Sequence, residues 1–309
     1  MLKQRTIKTS ITETGIGLHK GRKVTMTLKP ASADTGIIFR RVDVSPPADI
    51  AANAKDVGDT VLCTCITNSD GYSIHTVEHL ASALSGLGID NLIVEVDSHE
   101  LPILDGSASP FIFLLQSAGI QELDKPKKFI KVTKTIRVED GDKWAEFRPF
   151  DGFKVDFTID FPHPAIAQTR QHCILDFSKD SYLDEVSRAR TFGFMRDLEM
   201  MNSMNLALGG SMDNAVALDE FRVLNPEGLR YSDEFLKHKI LDAVGDLFLG
   251  GHNLIGELAA YKTGHGLNNK LLNAVLDDVS AWEYVEFDSE DSLPIKYIES
   301  TSHIGLNFA

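Results

Sequence analysis

A chain of 309 residues is long for one ordinary hydrophobic core and suits two domains. Its apolar share of 43% and charged share of 25% are those of a soluble globular protein. A net charge of −14 excludes the basic field of a nucleic-acid binder, though a few gathered lysines can still hold an anionic small molecule.

The opening Met1-Leu-Lys-Gln-Arg-Thr-Ile-Lys8 has no apolar leader core, and no stretch nears the roughly 18 apolar residues of a spanning helix. Three cysteines cannot build a disulfide framework, so a reducing cytoplasm is expected, and nothing calls for more than a monomer. Strand-like text at Arg5–Ile11 and Val24–Pro30 opens the chain, with His19 in the Gly-rich turn between them. Residues 40–60, with Pro46-Pro47, read as an insertion. Val61–Ile66 reads as an alternating strand; Cys63 and Cys65 lack the second pair that a zinc site of that kind needs. A helix is expected from Thr76 to about Leu87, followed by a Gly88 stop and an Asn91-Leu-Ile strand.

Gln121–Lys128, polar and proline-containing, reads as a linker, after which the same plan recurs. Strand-like Phe129–Ile136 and Trp144–Pro149 come first. A long insertion at 165–225 follows, and it carries a Met-rich, Gly-broken run from Phe192 to Met212. A helix from Asp233 to Leu249 is then stopped at Gly250-Gly251, and a second Asn253-Leu-Ile strand follows. The expected fold is therefore α+β: two similar layered sheet-and-helix domains, residues 1–124 and 128–300, related by internal duplication and each carrying an insertion.

The second of these helices has a broad apolar face (Phe235, Leu236, Ile240, Val244, Leu247, Phe248) flanked by His238, Asp242 and Asp246 at spacings of four. Carboxylates beside such a face need partners if buried, and a metal would supply one. In the first helix His75 and His79 stand four apart, and Glu78 sits where a base for a metal-bound water is wanted. A catalytic zinc takes three protein ligands plus water. The choice falls on His79, His238 and Asp242, with His75 in a supporting place. Iron(II) suits the same ligands.

Five runs carry a resemblance over nearly the whole chain: His75–Leu80, Leu101–Phe111, Arg188–Met195, His238–Asp246 and Lys262–Lys270. They resemble the UDP-3-O-acyl-N-acetylglucosamine deacetylases, zinc amidases of the first committed step of lipid A synthesis. The text after about Ser300 matches nothing in that family. The resemblance implies one zinc held by His79, His238 and Asp242 between the halves, and Glu78 as general base. It further implies Thr191 as a hydroxyl partner for the developing oxyanion and His265 as cation or general acid, oriented by Asp246. The substrate would be an acylated UDP-sugar. Lys239, Lys143 and Lys262 are candidates for its diphosphate, and Phe161 and Phe194 for its uridine and sugar.

The acyl chain would lie in a passage built by the second insertion and lined by Leu18, Met195, Ala207, Met212 and Val216. Burying about ten methylenes at roughly 0.8 kcal/mol each is worth on the order of 8 kcal/mol before entropy costs. His19 would stand at the rim of the site. His99, His163, His172, His252 and His303 have no helical partner and read as surface or core residues. A zinc amidohydrolase for a different acetylated sugar or peptide, and a non-enzymatic metal-stabilised module, are the competing readings.

Overall fold

Alternating burial in Lys23–Pro30, Ile37–Arg41 and Leu92–Val96 leaves one apolar sheet face that must be covered. The structure, a computed structural model, describes residues 1–298. In spatial order the first sheet runs Ile11–Ile16, Lys23–Pro30, Leu92–Val96, Ile37–Arg41, Ala48–Ala51, with only the third and fourth strands parallel. The second half places Ile136–Asp140, Lys143–Arg148, Leu254–Tyr261, Phe153–Thr158 and His172–Asp176 in the same order and directions. Phe129–Val132 and Trp282–Val285 extend this second sheet.

Four helices cover the sheets: α1 (Glu78–Leu87) and α2 (Ser109–Ala118) from the first half, and two from the second. The long second insertion contributes α3 (Met195–Ser203), which buries none of its residues. The second half's pair are α4 (Glu234–Phe248) and α5 (His265–Asp277). Apolar residues of both sheets and of α1, α2, α4 and α5 form one contiguous core, so α1 and α4 meet in the interior.

Five expectations change. The strands expected at Arg5–Ile11 and Phe129–Ile136 each break into two, Lys3–Ile7 with Ile11–Ile16 and Phe129–Val132 with Ile136–Asp140, as the chain passes from one set of partners to another. The linker is ordered: Ile120–Pro126 pairs antiparallel with Lys3–Ile7. Lys127 is fully buried, its Nζ bonded to Gly88 O (3.0 Å) and Asp90 Oδ1 (2.5 Å). Each segment read as an insertion also supplies the edge strand of its sheet, Ala48–Ala51 or His172–Asp176; the extra material lies between that strand and the following helix. Residues 63–66 do not alternate, because all four are buried. Finally, α1 begins at Glu78, since Thr76 has φ 61° and breaks any helix through it. His75 ends a strand instead, so it shares no helical face with His79.

Candidate functional site

The helices α1 and α4 can approach so closely because position 245 is glycine. A Cβ there would lie 2.0 Å from the carbonyl oxygen of Glu78. That contact sets His79, in the first turn of α1, opposite His238 and Asp242, one turn apart on α4. The two imidazoles meet edge to face with centroids 5.1 Å apart. Asp242 Oδ1 lies 3.6 Å from His79 Nε2 and 3.4 Å from His238 Nε2, and all three residues are 3% exposed.

The proton of His238 is accounted for elsewhere. Its Nδ1 donates to Ala189 O at 3.0 Å, which leaves a lone pair on Nε2. Lys239 Nζ occupies Asp242 Oδ2 at 2.7 Å, while Oδ1 is buried without a donor. Lone pairs facing one another in a buried site repel unless a proton or a metal ion lies between them. Three ligand atoms lie within 4.8 Å of one another, and the group can hold a metal ion. A tetrahedral ion with bonds of about 2.0–2.1 Å would separate its ligand atoms by roughly 3.3 Å, close to the distances to Oδ1. Burial, against the pull of Asp242, lowers His238 to about 4. Burial alone would raise Asp242, but His238, Lys239 and His79 hold it well below the usual carboxylate range.

Beside this group, Glu78 is buried and its Oε2 accepts the backbone N–H of Thr64 at 3.0 Å. Burial pushes its carboxyl up. On the other side, His265 Nδ1 donates to Asp246 Oδ2 (3.0 Å) and, more weakly, to Oδ1 (3.3 Å). Asp246 also accepts from Thr64 Oγ1 (2.6 Å) and Asn268 Nδ2 (2.9 Å). Burial works against the His265 cation, yet Asp246, Glu78 and Asp242 together raise it to about 9, so the ring is protonated at neutral pH.

The glycine-flanked His265 looks like a loop residue in sequence, but it is the first residue of α5, with Gly264 as its N-cap. A cation at a helix N-terminus is disfavoured by the dipole, which makes the Asp246 partner necessary. Thr64, Asn268 and the Ala189 carbonyl escaped sequence reasoning. Thr64 is 182 residues from Asp246, and no local pattern joins such positions.

A cavity of about 690 Å³ opens next to Thr191. Leu18, Met195, Ala207, Met212 and Val216 all line it, joined by Leu62, Leu198, Met201 and Leu224, which sequence reading did not name. Phe194 lies in the same wall, with Phe161 6.4 Å away from it and 5.5 Å from Phe192 by ring centroids. His19 also lines the cavity. It is buried, neither ring nitrogen has a partner, and burial together with Lys20 lowers it to about 4.

The three lysines have separate partners. Lys239 is bound to Asp242; Lys262 pairs with Asp142 (2.6 Å) and Asp160 (3.5 Å); Lys143 is exposed at the start of the strand whose next residue, Trp144, faces Tyr261. His75 stays outside the metal group, between Cys65 (3.5 Å) and Cys63 (3.9 Å), with its ring against His99. Of the remaining histidines, His163 bonds Asp219 O, His172 bonds Asp156 and His252 packs on Tyr284. His303 and positions 299–300 of the expected second domain lie outside the described residues.

The chain is similar to known proteins over nearly its whole length. Residues 4–277 match a family model described as UDP-3-O-acyl N-acetylglycosamine deacetylase. A protein of Pseudoalteromonas atlantica named UDP-3-O-acyl-N-acetylglucosamine deacetylase is 76% identical, over 96% of this chain and 98% of its own length. Proteins of the same name from Idiomarina loihiensis and Aliivibrio fischeri are 61% and 57% identical. Those matches cover 94% and 97% of this chain and 95% and 98% of the relatives.

Proposed function

The chain belongs to the UDP-3-O-acyl N-acetylglycosamine deacetylase family, and from that premise we propose that it hydrolyses the acetamide of UDP-3-O-(3-hydroxyacyl)-N-acetylglucosamine. The products are the free 2-amine and acetate, in lipid A biosynthesis. One observation carries the reading: a buried His79–His238–Asp242 group with an unpaired carboxylate oxygen stands beside Glu78.

We take the bound ion to be zinc, which supplies an acidified water and polarises the carbonyl when His79, His238 and Asp242 hold it. Glu78 accepts the water's proton as the oxygen attacks the acetamide carbon. The Thr191 hydroxyl and the His265 cation stabilise the charge that develops on the carbonyl oxygen. As the C–N bond breaks, the leaving nitrogen takes a proton from His265 Nε2 or from Glu78. Asp246 keeps the His265 ring oriented through Nδ1, which directs Nε2 to this work.

The acyl chain fills the cavity beside Thr191, while Phe161 and Phe194 flank the sugar and uridine. Lys143, Lys239 and Lys262 bias the approach toward the diphosphate. Iron(II) is a second ion the same ligands accept. Among the described residues no helix is long and apolar enough to cross a membrane. We infer a cytoplasmic monomer with no nucleic-acid partner. We also infer two units, 1–124 and 128–300, derived by duplication; the shared strand order and directions of the two sheets support it.

The test is deacetylation of UDP-GlcNAc with and without the 3-O-acyl chain, together with metal analysis. The acylated compound should react far faster, and Glu78→Gln should cost roughly 10²–10⁴ in kcat with metal retained. Equal rates on the two substrates would remove the passage from the reading, and an active Glu78→Gln would remove the base.

A further inference from the structure

We propose that Thr64 is a positioning residue that locks the two sides of the reaction centre, Glu78 and the Asp246–His265 pair, into one geometry. The inference rests on the hydrolytic reading above and adds a residue to it. Thr64 is 1% exposed, and every polar group it owns points at the site. Its N–H donates to Glu78 Oε2 at 3.0 Å. Its hydroxyl donates to Asp246 Oδ1 at 2.6 Å, and its carbonyl accepts the N–H of Val77, the residue before Glu78, at 3.4 Å. Thr64, the residue just before the strand Cys65–Thr67, thus ties the start of α1 to a carboxylate inside α4.

The distribution of donors on Asp246 makes the hydroxyl consequential. Oδ2 has two, His265 Nδ1 at 3.0 Å and Asn268 Nδ2 at 2.9 Å. Oδ1 has Thr64 and, otherwise, only the long 3.3 Å contact with His265. Without the hydroxyl, Oδ1 is left under-bonded in a dry site, and the carboxylate regains a partner by turning toward His265. The imidazole then turns with it. Its misplacement acts on proton transfer and leaves substrate affinity alone, because Thr64 does not line the acyl cavity.

Valine copies the shape of threonine, keeps the backbone N–H on Glu78 and removes only the hydroxyl; serine keeps the hydroxyl. Thr64→Val should lower kcat by roughly tenfold or more, part of the roughly 10²–10⁴ that a positioned acid–base group contributes. KM and metal content should stay within about twofold. Thr64→Ser should recover most of the loss. In an Asp246→Asn background the Thr64→Val change should cost less than about twofold, since its effect travels through Asp246. Wild-type kcat in Thr64→Val, no rescue by serine, or full additivity with Asp246→Asn would each overturn the proposal. If Thr64→Val does not fold by circular dichroism, Thr64→Ala takes its place in the same cycle. Wild-type and Glu78→Gln controls separate the two levels. An inactive wild type or an active Glu78→Gln sinks the hydrolytic reading and this inference with it, whereas normal controls beside an unchanged Thr64→Val sink this inference alone.

Discussion

The crossing of α1 with α4 and the wall of the apolar cavity are built by opposite means. At the crossing, His79, Glu78, His238, Asp242 and Asp246 are all buried, and directional hydrogen bonds fix Glu78 Oε2, His238 Nδ1, Asp242 Oδ2 and both oxygens of Asp246. His79 Nδ1 and Asp242 Oδ1 are buried without a partner, and Oδ1 faces two imidazole nitrogens. The cavity side is half exposed: the lining residues Met195 and Met212 show large apolar surface, as do Met200, Met204 and Leu208 of the same insertion, and α3 buries nothing. The difference teaches a division of labour. Bond-making needs groups held to within fractions of an ångström, which paired interior helices supply. A flexible alkyl chain needs area and tolerance, which methionine side chains supply.

This contrast can be broken from the rigid side first. Removal of the metal by a chelator should abolish turnover and lower stability by about 4 kcal/mol when the free metal had stood at roughly 1,000 times its Kd. Differential scanning calorimetry with and without chelator measures it; identical melting would show that no ion bridges α1 and α4. Gly245→Ala should cost about 1–3 kcal/mol, because the added methyl meets the Glu78 backbone and only separation of the helices relieves it. Weaker metal affinity should accompany the loss, read by competition with a colorimetric chelator. Normal affinity in a folded Gly245→Ala protein would dissociate the crossing from the metal group.

Protonation sharpens the same side. The folded-state value of His265 is raised to about 9, above its ordinary 6.5. The stability it contributes is therefore complete below about pH 6.5 and is lost as pH rises through about 9. Rates that depend on the cation should fall along the same upper limb. In Asp246→Asn the main raising influence is gone, so the limb should move to lower pH. A kcat/KM profile from pH 6 to 10 compares the two proteins, and an unmoved limb would count against the pair. The smallest effect is expected in the adaptable wall. Met212→Ala removes a few buried contacts, worth about 1–2 kcal/mol, and should raise KM for a long-chain substrate by roughly tenfold while sparing a short-chain one. An equal rise for both chain lengths would place Met212 outside the passage.

Helical spacing made the candidate ligands on α4 legible, since His238 and Asp242 stack on one face wherever a helix forms. The same rule misled at His75, because a left-handed Thr76 ends one element just before α1 begins. Polarity misled at Lys127, where Asp90 and the Gly88 carbonyl satisfy a charge that composition assigns to solvent. Glycines on both sides hid the helix that begins at His265.

What the sequence determines alone is periodic and local: the strands, the apolar faces of α1 and α4, the i, i+4 pair of His238 and Asp242, and a run of motifs specific enough to point to a family. Which distant groups share a hydrogen bond was settled only by tertiary packing. Thr64, bonded to Glu78 and Val77 at the start of α1, meets Asp246 because α1 lies on α4 at the bare backbone of Gly245, and Ala189 of the second insertion meets His238 from 49 residues away. The physical reason is that side-chain periodicity encodes which face of an element is buried, whereas the partner that face meets depends on close packing summed over the whole core.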